Sequence, residues 1–173
     1  MKIETFDAHN QVVFKLYRLA YEQPIACFQT AALELLKTVV GFDSAVWGNA
    51  SLAPGGIDMH TVHLHRVSPE MVEAYEEVKH LDSASGGMLT QAQHTQAFHT
   101  ETFFAARAQR PIRDFMLHFE QPNFSIHTQF NAQTGSLAWL TAYRVQADEH
   151  FRSADIDGLG LLVPHLMQAL GLD

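Results

Sequence analysis

The chain is poor in cysteine and has no long apolar run. Its 173 residues include one cysteine, Cys27. A single thiol cannot form an intramolecular disulfide, and it cannot supply the several thiolates of a structural zinc site. No stretch approaches the ~18 consecutive apolar residues that a membrane-spanning helix requires, and the first residues lack the apolar core of a secretory signal. We therefore expect a cytoplasmic protein without disulfides or membrane spans.

Positive charge is also scarce. The chain carries 11 Lys and Arg against 19 Asp and Glu, a net charge of −8. Binding to a phosphate backbone depends on clustered cations, so this balance argues against nucleic acid as a direct partner. The one basic cluster comprises Arg107, Arg110 and Arg113, which we interpret as a solvated face and not as an anion site.

Motifs of the common enzyme classes are missing. The sequence has no nucleophile elbow, no P-loop lysine and no zinc-protease helix. The segment 82–87 resembles a phosphate-binding loop only in its glycine content, and we interpret it as a turn. Cys27 falls in an apolar helical pattern, which predicts a buried, unreactive thiol. We expect no enzymatic activity and no cofactor.

Both ends of the chain carry apolar residues at the spacings of three and four that indicate helices. We predict a first helix that Asp7 caps and that runs to about Ala20. A second helix is predicted from Ile25 to Val39, with Gly41 as its left-handed terminator, and a last helix from Ser153 to about Leu170. The last helix is apolar around more of its circumference than a solvent-exposed helix normally is, so it needs a groove on its own domain or a partner helix. The sequence therefore predicts a homodimer with an interface formed by Leu16, Leu19, Ile156, Leu159, Val163, Leu166 and Leu170.

The middle of the chain changes period. Alternating segments bounded by turn residues predict strands over 42–52, 58–67, 95–99, 124–131 and 136–145. Ser68 and Pro69 begin a helix that runs to about His80. Hairpins favour an antiparallel sheet. We predict an α+β fold in which the terminal helices cover one face of a sheet of about five strands, and the segment 68–123 covers the other.

Several blocks, in this order, resemble the amino-terminal sensor domain of LuxR-type transcriptional regulators: Gly41–Gly48, Val62–Arg66 before Ser68–Met71, Trp139–Arg144, and Val163–Leu166. The resemblance implies a fold similar to GAF and PAS domains, a cytoplasmic location and dimerisation through terminal helices. It also implies a helix-turn-helix domain that would contact DNA, and no such pattern occurs in these 173 residues. We therefore interpret residues 1–173 as one sensor and dimerisation domain. The tryptophan and aspartate pattern of homoserine-lactone receptors is not matched, so that ligand is not predicted.

Strand alternation suggests where a small molecule would bind. In three predicted strands one set of side chains is large, aromatic and polar-tipped, the mixture that a ligand cavity requires. We hypothesise a pocket with walls from Trp47, Asn49, His63, Trp139, Thr141 and Tyr143, and with a roof from Phe98, Phe103, Phe104 and Phe115. The alternative is ordinary aromatic packing in a core.

Four other functions remain open at this point. His63 and His65 point the same way on a strand and would bind a metal if a third ligand joined them, but spacing identifies none. His165 would serve as a lone axial ligand of haem. A structural dimerisation module without a ligand and a degenerate enzyme are the remaining alternatives. The favoured prediction is a ligand-sensing domain with no metal or cofactor.

Overall fold

The computed structural model describes residues 3–88, 91 and 93–171. Contacts divide the chain into two compact units, one formed by the residues up to Gly41 together with those from Ser153 onward, and one formed by Phe42–Arg152. Among the described residues, no helix is long and apolar enough to cross a bilayer.

Helices and strands follow one another in an α+β arrangement. In chain order they are α1 (Ile3–Glu22), α2 (Ile25–Lys37), β1 (Ser44–Ala53), β2 (Gly56–His65), α3 (Pro69–Val78), α4 (Ser83–Met88), β3 (Gln93–His99), α5 (Thr100–Phe103), α6 (Arg110–His118), β4 (Asn123–Asn131), β5 (Ser136–Arg144) and α7 (Ser153–Leu170). Short 3-10 turns cover Lys79–Leu81 and Arg107–Gln109.

The sheet is antiparallel throughout, with strand order β2-β1-β5-β4-β3. Two hairpins, β1–β2 and β4–β5, meet where β1 pairs with β5. Gly135 turns the second hairpin at a φ of +71°, a conformation that glycine adopts without steric cost. Its carbonyl accepts a hydrogen bond of 2.8 Å from the amide of Leu52, which ties the two hairpins together. The predicted α+β class and five-strand antiparallel sheet are confirmed.

In the first unit α1, α2 and α7 pack against one another. The apolar stripes of α1 and α7 supply this contact, and Leu16, Leu159, Val163 and Leu166 are at most 1% exposed. A side chain that is already buried in its own chain has no area left to offer a second copy. The prediction that these four residues form a dimer interface is therefore wrong, because the stripe is used within the chain.

The other predicted interface residues, Leu19, Ile156 and Leu170, are partly buried. In the same unit, the Tyr17 hydroxyl and the Nδ1 of His165 form a hydrogen bond of 3.1 Å. This bond links the middle of α1 to α7 and occupies one ring nitrogen of His165.

Local differences from the sequence predictions have simple causes. The first helix begins before Asp7, so this residue lies inside α1 and does not cap it. The segment predicted as a loop folds into α4, where the Oδ1 of Asp82 accepts the amide of Ser85 at 3.0 Å as a helix cap does. Gly41 has no left-handed φ. Cys27 is exposed and not buried, because it lies on the outer side of α2.

Candidate binding cavity

A cavity of about 600 Å³ lies between one face of the sheet and the helices of the central segment. Its floor comes from β1, β4 and β5, and its roof from α3, α4 and α6. Most of the lining is apolar, with a few polar groups. The floor residues are Val46, Phe124, Ile126, Thr128, Leu137, Trp139, Thr141 and Tyr143. The roof includes Met71, Val72, Tyr75, Ser85, Phe115 and Met116.

Strand register decides which predicted wall residues reach the cavity. Directly paired residues on neighbouring antiparallel strands point to the same face. Trp139 pairs with Gly48 and Thr141 with Val46, so Trp139, Thr141 and Tyr143 share the cavity face.

Trp47 pairs with Leu140 on one side and with His63 on the other, so it points to the opposite face of the sheet. Asn49 and His63 share that opposite face by the same alternation. The placement of Trp47, Asn49 and His63 in one wall with Trp139 is therefore wrong. Trp47 is 2% exposed there, as a core residue.

Of the four predicted roof residues, Phe115 lines the cavity. The other three form an aromatic cluster with Phe124, since Phe98 stacks on Phe124 at 5.0 Å between ring centroids. Phe103 meets Phe98 edge-on at 4.8 Å and Phe104 at 4.9 Å. Phe98 and Phe104 are buried, and Phe103 is 38% exposed. Ring-to-ring packing satisfies these side chains, so their assignment to the roof is wrong.

The cavity has an apolar mouth that the sequence did not reveal. Ile57, Met59 and Val62 on the edge strand β2 line it, although their spacing does not alternate. The pairing of β1 with β2 shifts between Asn49 and Ala50, which leaves one extra residue on β2. This β-bulge brings residues 57, 59 and 62 to one face. All three side chains are 39–54% exposed. That they lie together on one face is visible only in the folded chain.

The polar end of the cavity centres on Asp82. Its carboxylate accepts hydrogen bonds from the Tyr75 hydroxyl at 2.6 Å and from the Ser85 hydroxyl at 2.7 Å, besides the Ser85 amide. Burial raises the pKa of Tyr75 well above its usual range, and the charge of Asp82 raises it further. Burial and then Asp82 raise the pKa of Tyr143 in the same way. Both phenols are therefore protonated at neutral pH.

Gln121 adds a second polar group, from the turn between α6 and β4. Its side chain is 3% exposed and lines the cavity. Within the described part of the chain, its buried Oε1 receives no hydrogen bond. Sequence reasoning missed Gln121, because a glutamine in a turn next to proline carries no pattern of its own.

None of the predicted metal and haem ligands is among the residues that line this cavity. The rings of His63 and His65 stack with centroids 6.5 Å apart, on the face that carries Trp47. Across residues 3–88, 91 and 93–171, no group of three His, Cys, Asp or Glu side chains is arranged to hold a metal ion. Of the predicted basic cluster, Arg110 pairs with Asp114 at 3.3 Å, and Arg113 donates to the carbonyl of Phe104 at 3.1 Å.

Comparison with known proteins identifies the fold. No family model and no curated protein matches the sequence. Among solved structures, the N-acylhomoserine lactone dependent LuxR family transcription factor CepR2 from Burkholderia cenocepacia superposes with a TM-score of 0.67 at 16% identity, over 95% of this chain and 93% of that one.

SdiA in complex with octanoyl-rac-glycerol superposes with a TM-score of 0.72 at 14% identity, over 98% of this chain and 67% of that chain. The GAF domain of a putative sensor histidine kinase from Pseudomonas syringae pv. tomato reaches 0.57 at 14% identity, over 96% and 88%. At these identities the similarity establishes the fold, which LuxR-type and GAF proteins share.

Proposed function

We propose that this chain is the ligand-sensing domain of a LuxR-type transcriptional regulator and that it binds a small apolar molecule under the sheet. The cavity is the observation that carries the proposal. Its volume of about 600 Å³ falls within the ~300–1,000 Å³ typical of small-molecule sites. An apolar lining with a few polar groups supplies affinity and orientation.

The neighbours in fold support this proposal. CepR2 is described as dependent on N-acylhomoserine lactone, and the SdiA structure holds octanoyl-rac-glycerol. The ordered blocks from Gly41 to Leu166 that resemble LuxR-type sensors point the same way. The proposed role is binding and not catalysis, and contact with DNA belongs to a separate helix-turn-helix domain.

A ligand regulates only when it binds two arrangements of the protein with different affinity. The roof is the part most suited to such a change, because one of its helices, α4, has only six residues. Short helices have few internal hydrogen bonds and depend on what they pack against. A bound molecule that fills the space between roof and floor would favour the arrangement in which the roof is closed.

Homodimerisation remains part of the proposal, with a different surface. Phe14 is 72% exposed and Tyr21 is 94% exposed on α1. They lie seven residues apart, which is two helical turns and therefore the same side of the helix. Leu161 on α7 is 50% exposed. We propose that a second copy covers the side of α1 that carries Phe14 and Tyr21. This exposed apolar surface also supports the alternative of a dimerisation module without a ligand.

Fluorescence of a single tryptophan tests ligand binding. Trp47→Phe leaves Trp139, in the cavity floor, as the only indole. Titration with octanoyl-rac-glycerol should shift its emission saturably. At a ligand concentration 100 times the Kd, binding should add about 2.7 kcal/mol to the free energy of unfolding and therefore raise the melting temperature. Trp139→Phe is the matched control, since Trp47 on the other face should not respond. An unchanged spectrum and an unchanged melting temperature would contradict the proposal.

A further inference from the structure

Two histidines meet at one end of the sheet. His99 is the last residue of β3, and His150 lies in the segment between β5 and α7. The centroids of their rings are 4.6 Å apart, and the ring planes make an angle of 47°. Both residues belong to the unit Phe42–Arg152, and neither is among the residues that line the cavity.

The hydrogen bonds of Asn123 fix the position of the proton on His99. Asn123 is the register partner of His99 on β4 and is 1% exposed. Its Nδ2 donates to the carbonyls of Gln146 at 2.9 Å and of Ala147 at 3.1 Å. Its Oδ1 therefore faces the histidine and accepts a hydrogen bond of 2.9 Å from Nδ1 of His99. Because an amide oxygen only accepts, the proton lies on Nδ1, and the lone pair of the neutral ring lies on Nε2.

This lone pair is open to a ligand. No hydrogen bond within the described part of the chain involves Nε2 of His99, and Nε2 is not one of the polar atoms that the fold encloses without a partner. His150 is exposed. Histidines that bind metal ions usually donate through one ring nitrogen and offer the other, since the donated bond orients the ring and raises its basicity. His99 has this arrangement.

Both histidines are carried by anchored backbone. Next to His99, the amide and the hydroxyl of Thr100 donate to backbone carbonyls of the turn before β4. The carbonyl of His150 accepts from Nη1 of Arg144 at 2.9 Å, and the guanidinium of Arg144 lies 4.1 Å from the centre of the Phe151 ring. The two rings are therefore close together before any ion binds, which lowers the entropic cost of binding.

The spacing of the two rings suits a single metal ion. Two imidazoles that bind one tetrahedral ion through bonds of about 2.0–2.1 Å have their ring centres roughly 5 Å apart. The separation of 4.6 Å between His99 and His150 is close to this distance. The rings of His63 and His65 are farther apart, at 6.5 Å, so that pair provides a comparison within the same chain.

The donor atoms define the class of ion. Imidazole nitrogens suit Zn²⁺, Cu²⁺ and Ni²⁺, whereas Mg²⁺ and Ca²⁺ prefer oxygen ligands. The segment 144–152 contains two arginines and two acids, Asp148 and Glu149, so its charge does not favour cations in general. Within the described ranges, no third His, Cys, Asp or Glu completes a set of ligands. Water or another small donor would therefore occupy the remaining coordination positions.

We propose that His99 and His150 bind one divalent metal ion of the class of Zn²⁺, Cu²⁺ and Ni²⁺, through Nε2 of His99 and a ring nitrogen of His150. The ion joins the end of β3 to the segment that precedes α7. It stays exchangeable, because the chain supplies two ligands. The site does not depend on the proposed binding function, since it shares no residue with the lining of the cavity.

Calorimetric titration of the whole, untagged chain with ZnCl₂ tests this site. We expect one ion to bind saturably. His99→Gln and His150→Gln should each weaken binding by at least about tenfold, because even the outer partner of a metal ligand contributes about 10–100-fold in affinity. The double variant should lose little more than either single variant, since the two ligands act on one ion. His63→Gln is the matched control and should keep the affinity of the wild-type protein.

Electron paramagnetic resonance with Cu²⁺ gives a second readout, because nitrogen bound to copper splits the signal. We expect two imidazole nitrogens in the wild-type protein and one in His150→Gln. Unchanged Zn²⁺ binding in His150→Gln overturns the inference, as does the absence of saturable binding. An equal loss in His63→Gln also overturns it, because surface histidines would then bind without selection. If His99→Gln does not fold, the exposed His150 still decides. None of these outcomes affects the cavity, which Trp139 emission reports.

Discussion

The indole of Trp139 lies directly over Gly48 on the neighbouring strand. A Cβ placed on Gly48 would come within 2.2 Å of Cζ2 of Trp139, far inside van der Waals contact. The two residues are register partners on β1 and β5. The missing side chain of Gly48 therefore makes the space in which Trp139 lies against the sheet and forms the floor of the cavity.

Gly48→Ala should push Trp139 away from the sheet and into the cavity. We expect a loss of about 1–3 kcal/mol in the free energy of unfolding, as for overpacked cores, and weaker binding of octanoyl-rac-glycerol. Urea unfolding and Trp139 emission in the Trp47→Phe background measure the two effects. Gly41→Ala is the control, because nothing lies within 4 Å of its added Cβ. Unchanged emission in Gly48→Ala would contradict the described packing.

Gln121→Met should stabilise the protein when no ligand is present. The substitution replaces a buried acceptor that has no donor in the described chain with an apolar side chain of similar length. A gain of about 1 kcal/mol follows from removing an unsatisfied polar group. Thermal unfolding without added ligand provides the measurement. A lower melting temperature would mean that the amide supports the fold.

Asp82→Asn should relax discrimination against anionic ligands. Asparagine keeps an oxygen that can accept the Ser85 amide, so the start of α4 is retained, while the negative charge is lost. We expect decanoate to bind about fivefold more tightly relative to decanamide, because repulsion in a partly apolar site is removed. Glu76→Gln is the control, since Glu76 is already paired with Lys79. An equal change in both variants would argue against a special role of Asp82.

Two substitutions in the terminal helices should have different consequences. Leu166→Ala empties a fully buried position and should lower the free energy of unfolding by about 2–5 kcal/mol without changing the mass of the native particle. Phe14→Glu changes a side chain that is 72% exposed and should leave stability nearly unchanged but separate a dimer into monomers. Ultracentrifugation and denaturant unfolding distinguish them. A wild-type protein that is monomeric when concentrated would end the dimer proposal.

His127 should make stability depend on pH. Burial, and then the nearby charge of His94, lower its pKa from 6.5 to about 4. Between about pH 4 and pH 6.5 the imidazole of His127 therefore binds a proton in the unfolded chain but not in the folded chain. Stability is fully present above about pH 6.5 and falls by up to about 3 kcal/mol as the pH drops to about 4.

Denaturant unfolding of His127→Gln across this pH range should show a shallower slope than the wild-type protein. Part of the slope should remain, because burial and His65 also lower the pKa of His63. His80→Gln replaces an exposed histidine and serves as the control. Equal slopes for wild type and His127→Gln would show that His127 is not buried in its neutral form.

Local signals in the sequence predicted the helices and strands well, but they predicted poorly what each of them packs against. Ser68, Pro69 and Glu70 mark the start of α3, and the Glu70 amide does bond to the Ser68 hydroxyl at 3.2 Å. The apolar stripe of α7 indicated a helix, but the same stripe fits a partner helix in the same chain or in another one. Leu166 was therefore assigned to the wrong neighbour, since spacing does not identify what covers a face.

The candidate site shows the same contrast between what local patterns predict and what they do not. Alternation sorted each strand correctly into two sets, with Trp47 opposite Val46 and Trp139 opposite Leu140. It could not say which set of β1 joins which set of β5. That choice depends on the register of strands some ninety residues apart in sequence, in which Gly48, and not Trp47, lies beside Trp139.

The sequence by itself determined the α+β class, the two hairpins and the helices at either end, because these follow from turn residues and from the period of apolar side chains along a short stretch of chain. Only the tertiary structure decided that Trp139 and Gln121 meet in one cavity, that a bulge turns Ile57, Met59 and Val62 toward its mouth, and that Leu166 is covered by its own chain. Contacts of this kind are set by register and packing between distant segments, and a pattern confined to one segment carries no record of them.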